Sequence, residues 1–75
     1  MNKVWLIYWQ SLVDLTESEV VNVFSSFLKA ENRVKELISE ERYEYSYEDG
    51  VHRYVTYDED GYEYTSYEIS ESEVL

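Results

Sequence analysis

The stretch YEYSYEDGVHRYVTYDEDGYEYTSYEISESE, residues 43–73, decides the fold of this 75-residue chain. Tyrosine alternates with polar residues at its start, and successive side chains of a strand point to opposite faces. The alternation therefore predicts a strand with two different faces. These faces carry Tyr43, Tyr45 and Tyr47 on one side and Glu44, Ser46 and Glu48 on the other.

Two turns divide this stretch into three strands. Asp49-Gly50 is a strong signal for a two-residue hairpin turn, and Val51–Tyr57 is the returning strand. A second turn, Asp-Glu-Asp-Gly at residues 58–61, leads to a last strand over residues 62–70. Residues 71–75 are predicted to form a frayed or edge-capping tail.

The beginning of the chain, residues 3–10, is apolar on both faces of an extended strand. Its two faces carry Val4, Leu6 and Tyr8 on one side and Trp5, Ile7 and Trp9 on the other. Short runs rich in β-branched and aromatic residues are typical of buried strands, although a buried helix segment shares the pattern. We predict a central strand covered on both sides, followed by a polar turn over residues 11–19.

Residues 17–42 allow two interpretations. Thr16 and Glu19 fit a capping box, and an apolar stripe supports one long helix over residues 17–42. The other interpretation makes residues 20–24 a strand, Ser25 or Ser26 the N-cap, and residues 27 to about 42 the helix. We prefer the second, because the valines favour a strand and paired serines before an amphipathic run mark a helix start. It predicts a core-facing set of Phe27, Ala30, Val34, Leu37 and Ile38 and a solvent-facing set of Lys29, Arg33, Lys35, Glu36 and Glu40.

Together these elements predict a single α+β domain over residues 1–75. It has a mostly antiparallel sheet of about five strands with one helix packed on it, in the order ββαβββ. A domain of this size buries only about 60% of its unfolded surface, so we expect marginal stability. The chain has no cysteine, which excludes disulfides and thiolate chemistry. The apolar run at residues 4–9 is too short for a bilayer span or a signal peptide, which predicts a cytoplasmic protein, in the host cell cytoplasm if the chain is viral.

A short pattern at the helix start allows one comparison with known proteins. The order strand, Val-Phe-Ser-Ser, three residues, Ala, helix is carried by residues 23–26 and Ala30. It resembles a pattern in small uncharacterised phage and bacterial proteins, which open with a strand like residues 3–8 and close with one like residues 67–69. The resemblance covers roughly residues 3–39 and 67–75. It implies a compact α+β fold and a phage origin, and it carries no activity and no site residues.

The formal net charge of -11 is unevenly distributed. Residues 1–39 contain five acidic and four basic side chains, whereas residues 40–75 contain twelve acidic side chains against Arg42 and Arg53. Such asymmetry concerns partners and solubility rather than fold. It disfavours direct binding to nucleic acid or to an anionic membrane, and it favours a basic, nucleic-acid-binding protein as partner.

The acidic half predicts a partner-binding surface. Carboxylates on alternate strand residues are about 6.8 Å apart, so two neighbouring rows with the turn acids approach the charge spacing of one DNA strand, about 3.4 Å. Glu63 and Glu68 are five residues apart, which places them in opposite phase on a regular strand. Tyrosines outnumber what one helix can cover, so several are expected to be exposed and to suit a cationic partner. The predicted partner-binding residues are Glu44, Glu48, Asp49, Asp58, Glu59, Asp60, Glu63, Glu68, Tyr45, Tyr57 and Tyr64.

Metal and catalytic chemistry have little support in the sequence. If Gly61 took the glycine position of a calcium loop, its first and last ligands would be Thr56 and Tyr67, which carry no carboxylate. His52 has no cysteine or second histidine as a zinc co-ligand and is predicted to be exposed on a strand. A fold this small has little room for a pocket of about 300 Å³. We therefore predict no enzyme, no metal and no cofactor.

Two functions remain open on the sequence alone. In the first, the chain is an acidic inhibitor, similar in character to phage DNA-mimic inhibitors, that occupies the nucleic-acid-binding surface of a host protein. Anti-CRISPR and anti-restriction roles belong to this class. In the second, the chain is a non-catalytic structural or adaptor module whose acidity serves only solubility. Homodimerisation through an exposed sheet edge belongs to the second class.

Overall fold

Five strands and one helix follow one another along residues 2–74, the part of the chain that this computed structural model describes. Side chains are described for residues 3–73. The elements are β1 (Asn2–Ser11), β2 (Ser18–Phe24), α1 (Phe27–Leu37), β3 (Arg42–Glu48), β4 (Val51–Tyr57) and β5 (Glu63–Val74). The strands form one sheet in the order β2-β1-β5-β4-β3, and every neighbouring pair is antiparallel. The predicted α+β domain with the order ββαβββ is confirmed.

Residues 20–24 are confirmed as a strand, and the interpretation as one long helix is wrong. Ser26 caps α1, because its Oγ accepts a hydrogen bond of 3.2 Å from the backbone N–H of Lys29. The helix ends at Leu37 rather than near Arg42 as predicted, with Ile38 as its C-cap. Ile38 is the last apolar residue of the stripe and is buried, so a further turn would have nothing to pack against. No helix of the described chain has the length and apolar content to cross a membrane.

The helix packs on one face of the sheet, over β1, β2 and β5, and the β3–β4 hairpin extends beyond it. The buried core consists of Ile7, Ala30, Val34, Ile38, Tyr54 and Ile69, flanked by the partly buried Trp5, Val21, Phe24, Phe27, Leu37 and Tyr67. The predicted core-facing helix residues are therefore confirmed. The predicted solvent-facing residues are exposed except Arg33, which is half-buried.

The prediction that β1 is covered on both faces is wrong. Ile7 is buried beneath α1. On the other face, Val4, Leu6 and Tyr8 are half-buried, and no other element of residues 2–74 lies over them. The reason is that a single short helix covers a single face, and the remaining strands all belong to the same sheet.

The prediction of a frayed or edge-capping tail over residues 71–75 is also wrong as far as Val74. β5 continues to that residue and pairs along its length with β1. It is a central strand between β1 and β4, and it begins at Glu63, one residue later than predicted. Leu75 lies outside the described residues.

Both predicted turns are present. Asp49 and Gly50 have φ angles of 52° and 81°, and two such residues form the tight hairpin turn that suits the twist of antiparallel strands. In the second turn, Oδ1 of Asp58 accepts hydrogen bonds of 2.9 Å from the backbone N–H groups of Asp60 and Tyr62. Gly61 completes this turn with a φ of 86°.

Candidate protein-binding surface

Four glutamates lie on the face of the sheet that α1 leaves uncovered. Glu44 and Glu48 of β3 lie opposite positions 55 and 51 of β4, whereas Glu63 and Glu68 of β5 lie opposite positions 57 and 53. These alternate β4 positions share one face, so their partners share it as well. It is the face opposite α1, because the intervening Tyr54 packs into the core. We refer to this side of β3, β4 and β5, which carries the four glutamates, as the acidic face.

A β-bulge brings Glu63 and Glu68 into phase. The pairing of β4 with β5 shifts between Thr56 and Tyr57, so five steps along β5 match four steps along β4. The prediction that the two glutamates have opposite phase is therefore wrong. The bulge adjoins a buried pair, in which the hydroxyls of Thr56 and Thr65 are hydrogen-bonded and Thr56 Oγ1 accepts from the Thr65 N–H at 3.2 Å.

Tyr57 lies among these carboxylates. Partial burial raises the pKa of its phenol above the ordinary value, and the negative charges of Glu44 and Glu63 raise it further, while Arg53 acts in the opposite direction. Glu63 lies directly opposite Tyr57 on the neighbouring strand, so its carboxylate stands beside this phenol. Arg53 lies directly opposite Glu68, and Arg42 lies directly opposite Tyr57. The acidic face is therefore a mixed surface with an excess of negative charge.

An acidic turn, Asp58, Glu59 and Asp60, continues the negative charge beyond one end of the sheet. The side chain of Arg42 reaches this turn, where Nη2 donates a hydrogen bond of 3.2 Å to the Asp58 carbonyl oxygen. A groove of about 310 Å³ at this end is lined by Glu40, Glu41, Arg42, Tyr57, Asp58, Glu59 and Tyr64. Sequence reasoning missed Glu40 and Glu41 because it extended the helix across them.

The structure separates some predicted residues from the acidic face. Asp49 lies in the β3–β4 turn, at the opposite end of the hairpin from the acidic turn. Tyr45 lies on the other face of β3, the side on which α1 packs. Tyr57 belongs to the acidic face, and the exposed Tyr64 lies at the bulge and lines the groove beside the acidic turn.

A tyrosine row, Tyr43, Tyr45 and Tyr47, stands on the helix side of β3 but beyond the helix. Its members are 43%, 50% and 59% exposed, which confirms that several tyrosines face solvent. The prediction of an exposed His52 is wrong, because this side chain is half-buried with its ring centroid 4.3 Å from that of Phe27. Its Nδ1 lies 2.6 Å from the Tyr45 hydroxyl, so the row is attached to β4.

Tyr54 joins the tyrosine row to the core. It is buried, and its ring centroid lies 5.8 Å from that of Tyr43 and 5.0 Å from that of Tyr45. Its hydroxyl donates a hydrogen bond of 3.2 Å to Oε2 of Glu31 on the helix. Burial, together with the negative charge of Glu31, raises the pKa of Tyr54 well above its ordinary value.

An open groove of about 550 Å³ crosses the beginning of β3, which is more room than the sequence led us to expect. It is lined by Glu41, Arg42, Tyr43, Glu44, Tyr57 and Gly61. Carboxylate and phenol oxygens of this kind accept hydrogen bonds from cationic groups. Within residues 2–74, no three histidine or carboxylate side chains are grouped so as to hold a metal ion.

No family model, curated protein or solved structure matches the chain. The resemblance to small phage and bacterial proteins therefore stays a prediction.

Proposed function

We propose that the chain is a non-catalytic inhibitor that binds the basic nucleic-acid-binding surface of a partner protein in place of DNA or RNA. An anti-CRISPR, anti-restriction or similar role against a host protein falls within this class. The main support is the phasing of the acidic face, since the bulge in β5 aligns Glu63 with Glu68 on the same side as Glu44 and Glu48. Without the bulge, one of the two β5 carboxylates would project on the helix side.

The acidic face offers two rows of carboxylates. The rows lie on β3 and β5 and are separated by β4, hence by about 10 Å, and the two acids within each row are about 13 Å apart. Glu40, Glu41 and the acidic turn extend the charge past the end of the rows. A basic groove shaped for phosphate groups would meet carboxylates here, which accept paired hydrogen bonds from arginine.

Charge also governs how such a complex forms. The twelve acidic and two basic side chains of residues 40–75 produce a negative field that attracts a cationic surface over a distance. Association should therefore be fast and should weaken as salt is added. Duplex DNA should compete, because it presents the same sign of charge to the same groove.

A matched pair of variants tests the role of the acidic face. In the first, Glu44, Glu48, Glu63 and Glu68 are all replaced by Gln. In the control, the exposed Glu17, Glu19, Glu36 and Glu73 are replaced by Gln, so both variants lose four negative charges. Each chain is immobilised, exposed to a bacterial lysate, and eluted with a salt gradient or with duplex DNA.

We expect the native chain and the control to retain a basic nucleic-acid-binding protein that moderate salt or duplex DNA releases. The acidic-face variant should release the same protein at much lower salt or fail to retain it. Equal retention by the two variants, or a bound protein that DNA does not displace, would contradict the proposed function.

A structural or adaptor module is the second candidate, and one observation favours it. The uncovered side of β1 and β2 carries an apolar patch, Val4, Leu6, Tyr8, Val20 and Val23, in which both β2 valines are more than half exposed. A partner bound there would resist salt up to about 500 mM, because screening acts on exposed charges and not on apolar contacts. It would be lost when Val20 and Val23 are replaced by serine.

A further inference from the structure

The two edge strands of the sheet differ in how they are protected. β2 carries a bulge, where its register with β1 shifts between Ile7 and Tyr8. Bulges and lysines on an edge strand hinder pairing with another chain. β3 pairs with β4 without interruption, contains no lysine or proline, and is exposed at each of its seven residues. Alternate N–H and C=O groups of β3 therefore point outward, ready to pair with a further strand.

The sequence of β3, Arg-Tyr-Glu-Tyr-Ser-Tyr-Glu, is nearly symmetric about Tyr45. Two identical antiparallel strands in one sheet are related by a two-fold axis perpendicular to the sheet. Directly opposite side chains share a face, so the axis must pass through a residue position. An axis at Tyr45 places Arg42 opposite Glu48 twice, pairs Tyr43 with Tyr47 twice, and sets Glu44 opposite Ser46.

The other registers with substantial overlap are disfavoured by charge. An axis at Glu44 pairs only five residues and sets Glu44 against its own copy. An axis at Ser46 also pairs five residues and sets Glu44 opposite Glu48 twice. Like charges directly opposite each other destabilise a sheet, whereas opposite charges stabilise it. Only the axis at Tyr45 pairs all seven residues and brings no two carboxylates into opposition within the strand.

We propose that the chain forms a homodimer by antiparallel pairing of two β3 strands about an axis at Tyr45. The product is a continuous ten-stranded sheet with both helices on one side. The two tyrosine rows become neighbours between the helices, which buries side chains that are 43–59% exposed in the single chain. The two acidic faces then share the opposite side of the sheet.

Dimerisation does not depend on the proposed function. The edge uses backbone groups and the tyrosine row, and it shares only the Arg42–Glu48 pairs with the acidic face, which partner binding uses as a whole. The two can therefore fail separately, because dimerisation is measured on the purified chain alone and partner binding requires the lysate.

Disulfide trapping tests the register, because the chain has no cysteine of its own. In Tyr45→Cys the two new thiols lie directly opposite each other, with Cα atoms about 5 Å apart, which a disulfide spans. In the control Tyr43→Cys, the two copies lie about 14 Å apart and cannot be bridged. We expect mild oxidation to link Tyr45→Cys and equimolar Tyr43→Cys plus Tyr47→Cys, but not Tyr43→Cys alone. Equal self-linking of Tyr43→Cys and Tyr45→Cys would overturn the register.

A charge exchange provides a second test that leaves the aromatic side chains in place. Arg42→Glu should weaken the dimer about tenfold or more in sedimentation equilibrium, since it creates two opposed pairs of carboxylates. Arg42→Glu combined with Glu48→Arg should restore most of the affinity, although both variants lose the hydrogen bond from Arg42 to Asp58. Two results would overturn the proposed dimer: a native chain that stays monomeric up to about 1 mM, or a double variant whose dimerisation affinity is as low as that of Arg42→Glu alone. In either case the free edge of β3 would be available to a strand of another protein.

Discussion

The half of the sheet beneath α1 and the β3–β4 hairpin are built on different principles. In β1 and β5, Ile7 and Ile69 are fully buried against the helix. In β3, every residue is exposed, and the strand is held by its pairing with β4 and by aromatic contacts to Tyr54 and His52. A helix is about 10 Å wide, whereas the outer strands of a five-stranded sheet lie about 19 Å apart. One helix therefore stabilises about half of such a sheet, and the other half is free to carry a binding surface.

The largest expected loss of stability comes from a change in the half of the sheet that α1 covers. Ile69→Ala removes a fully buried side chain beneath α1 and should lower the free energy of unfolding by about 2–5 kcal/mol. Val23→Ala, on the exposed side of β2, is the matched control and should change it by less than about 0.5 kcal/mol. Urea denaturation measures both. Similar losses in the two variants would show that the helix side of the sheet does not hold the main core.

The second prediction concerns the hydrogen bond between Tyr54 of the hairpin and Glu31 of the helix, which links the two halves of the molecule. Tyr54→Phe removes the hydroxyl that donates to Glu31 and should cost about 1 kcal/mol at neutral pH. Tyr47→Phe removes the hydroxyl of the most exposed member of the tyrosine row and should be nearly neutral. When Glu31 is already replaced by Gln, Tyr54→Phe should lower the free energy of unfolding by less than it does in the native chain. An equal loss in both backgrounds would mean that this hydrogen bond does not join the hairpin to the helix.

The same link predicts a dependence on pH. Burial raises the pKa of both Tyr54 and Tyr67, with further contributions from Glu31 and Glu41 respectively, whereas an unfolded tyrosine ionises near pH 10. A raised folded pKa means that the stabilisation is complete below about pH 10 and is lost as the pH rises toward the folded pKa values. The free energy of unfolding should therefore fall above about pH 10, and less steeply in Tyr54→Phe with Tyr67→Phe. An identical slope in this double variant would contradict the assignment.

An effect of similar size to that of Tyr54→Phe should be confined to the hairpin. Gly50 has a φ of 81°, so Gly50→Ala should cost about 1 kcal/mol although the space around its Cα is open. Because Gly50 lies at the turn of the hairpin, beyond the helix-covered core, amide hydrogen exchange should accelerate mainly in β3 and β4. Equal acceleration in β1 would show that hairpin and core open as one unit.

Much of the fold follows from local sequence patterns. The period of two in residues 43–48 and the Asp-Gly turns identified the three strands of the second half, and the serine before Phe27 identified the start of the helix. The helix end was misplaced because Glu40 and Glu41 are acceptable on a helix surface, and only the lack of a packing partner beyond Ile38 ends the helix. The tail was misread because its alternation of serine and glutamate resembles solvent-exposed chain, whereas pairing with β1 makes it a central strand.

For the candidate surface as well, some features follow from the sequence and others only from the tertiary structure. The sequence by itself determined the order ββαβββ, the two hairpin turns and the concentration of acidic residues after position 39, because these depend on neighbouring residues and on composition. Only the tertiary structure decided that Glu63 and Glu68 share a face, that Tyr45 lies on the opposite one, and that β1 has one covered side. These features depend on a register shift between strands and on how many layers one helix can supply, which are set by contacts between residues far apart in the chain.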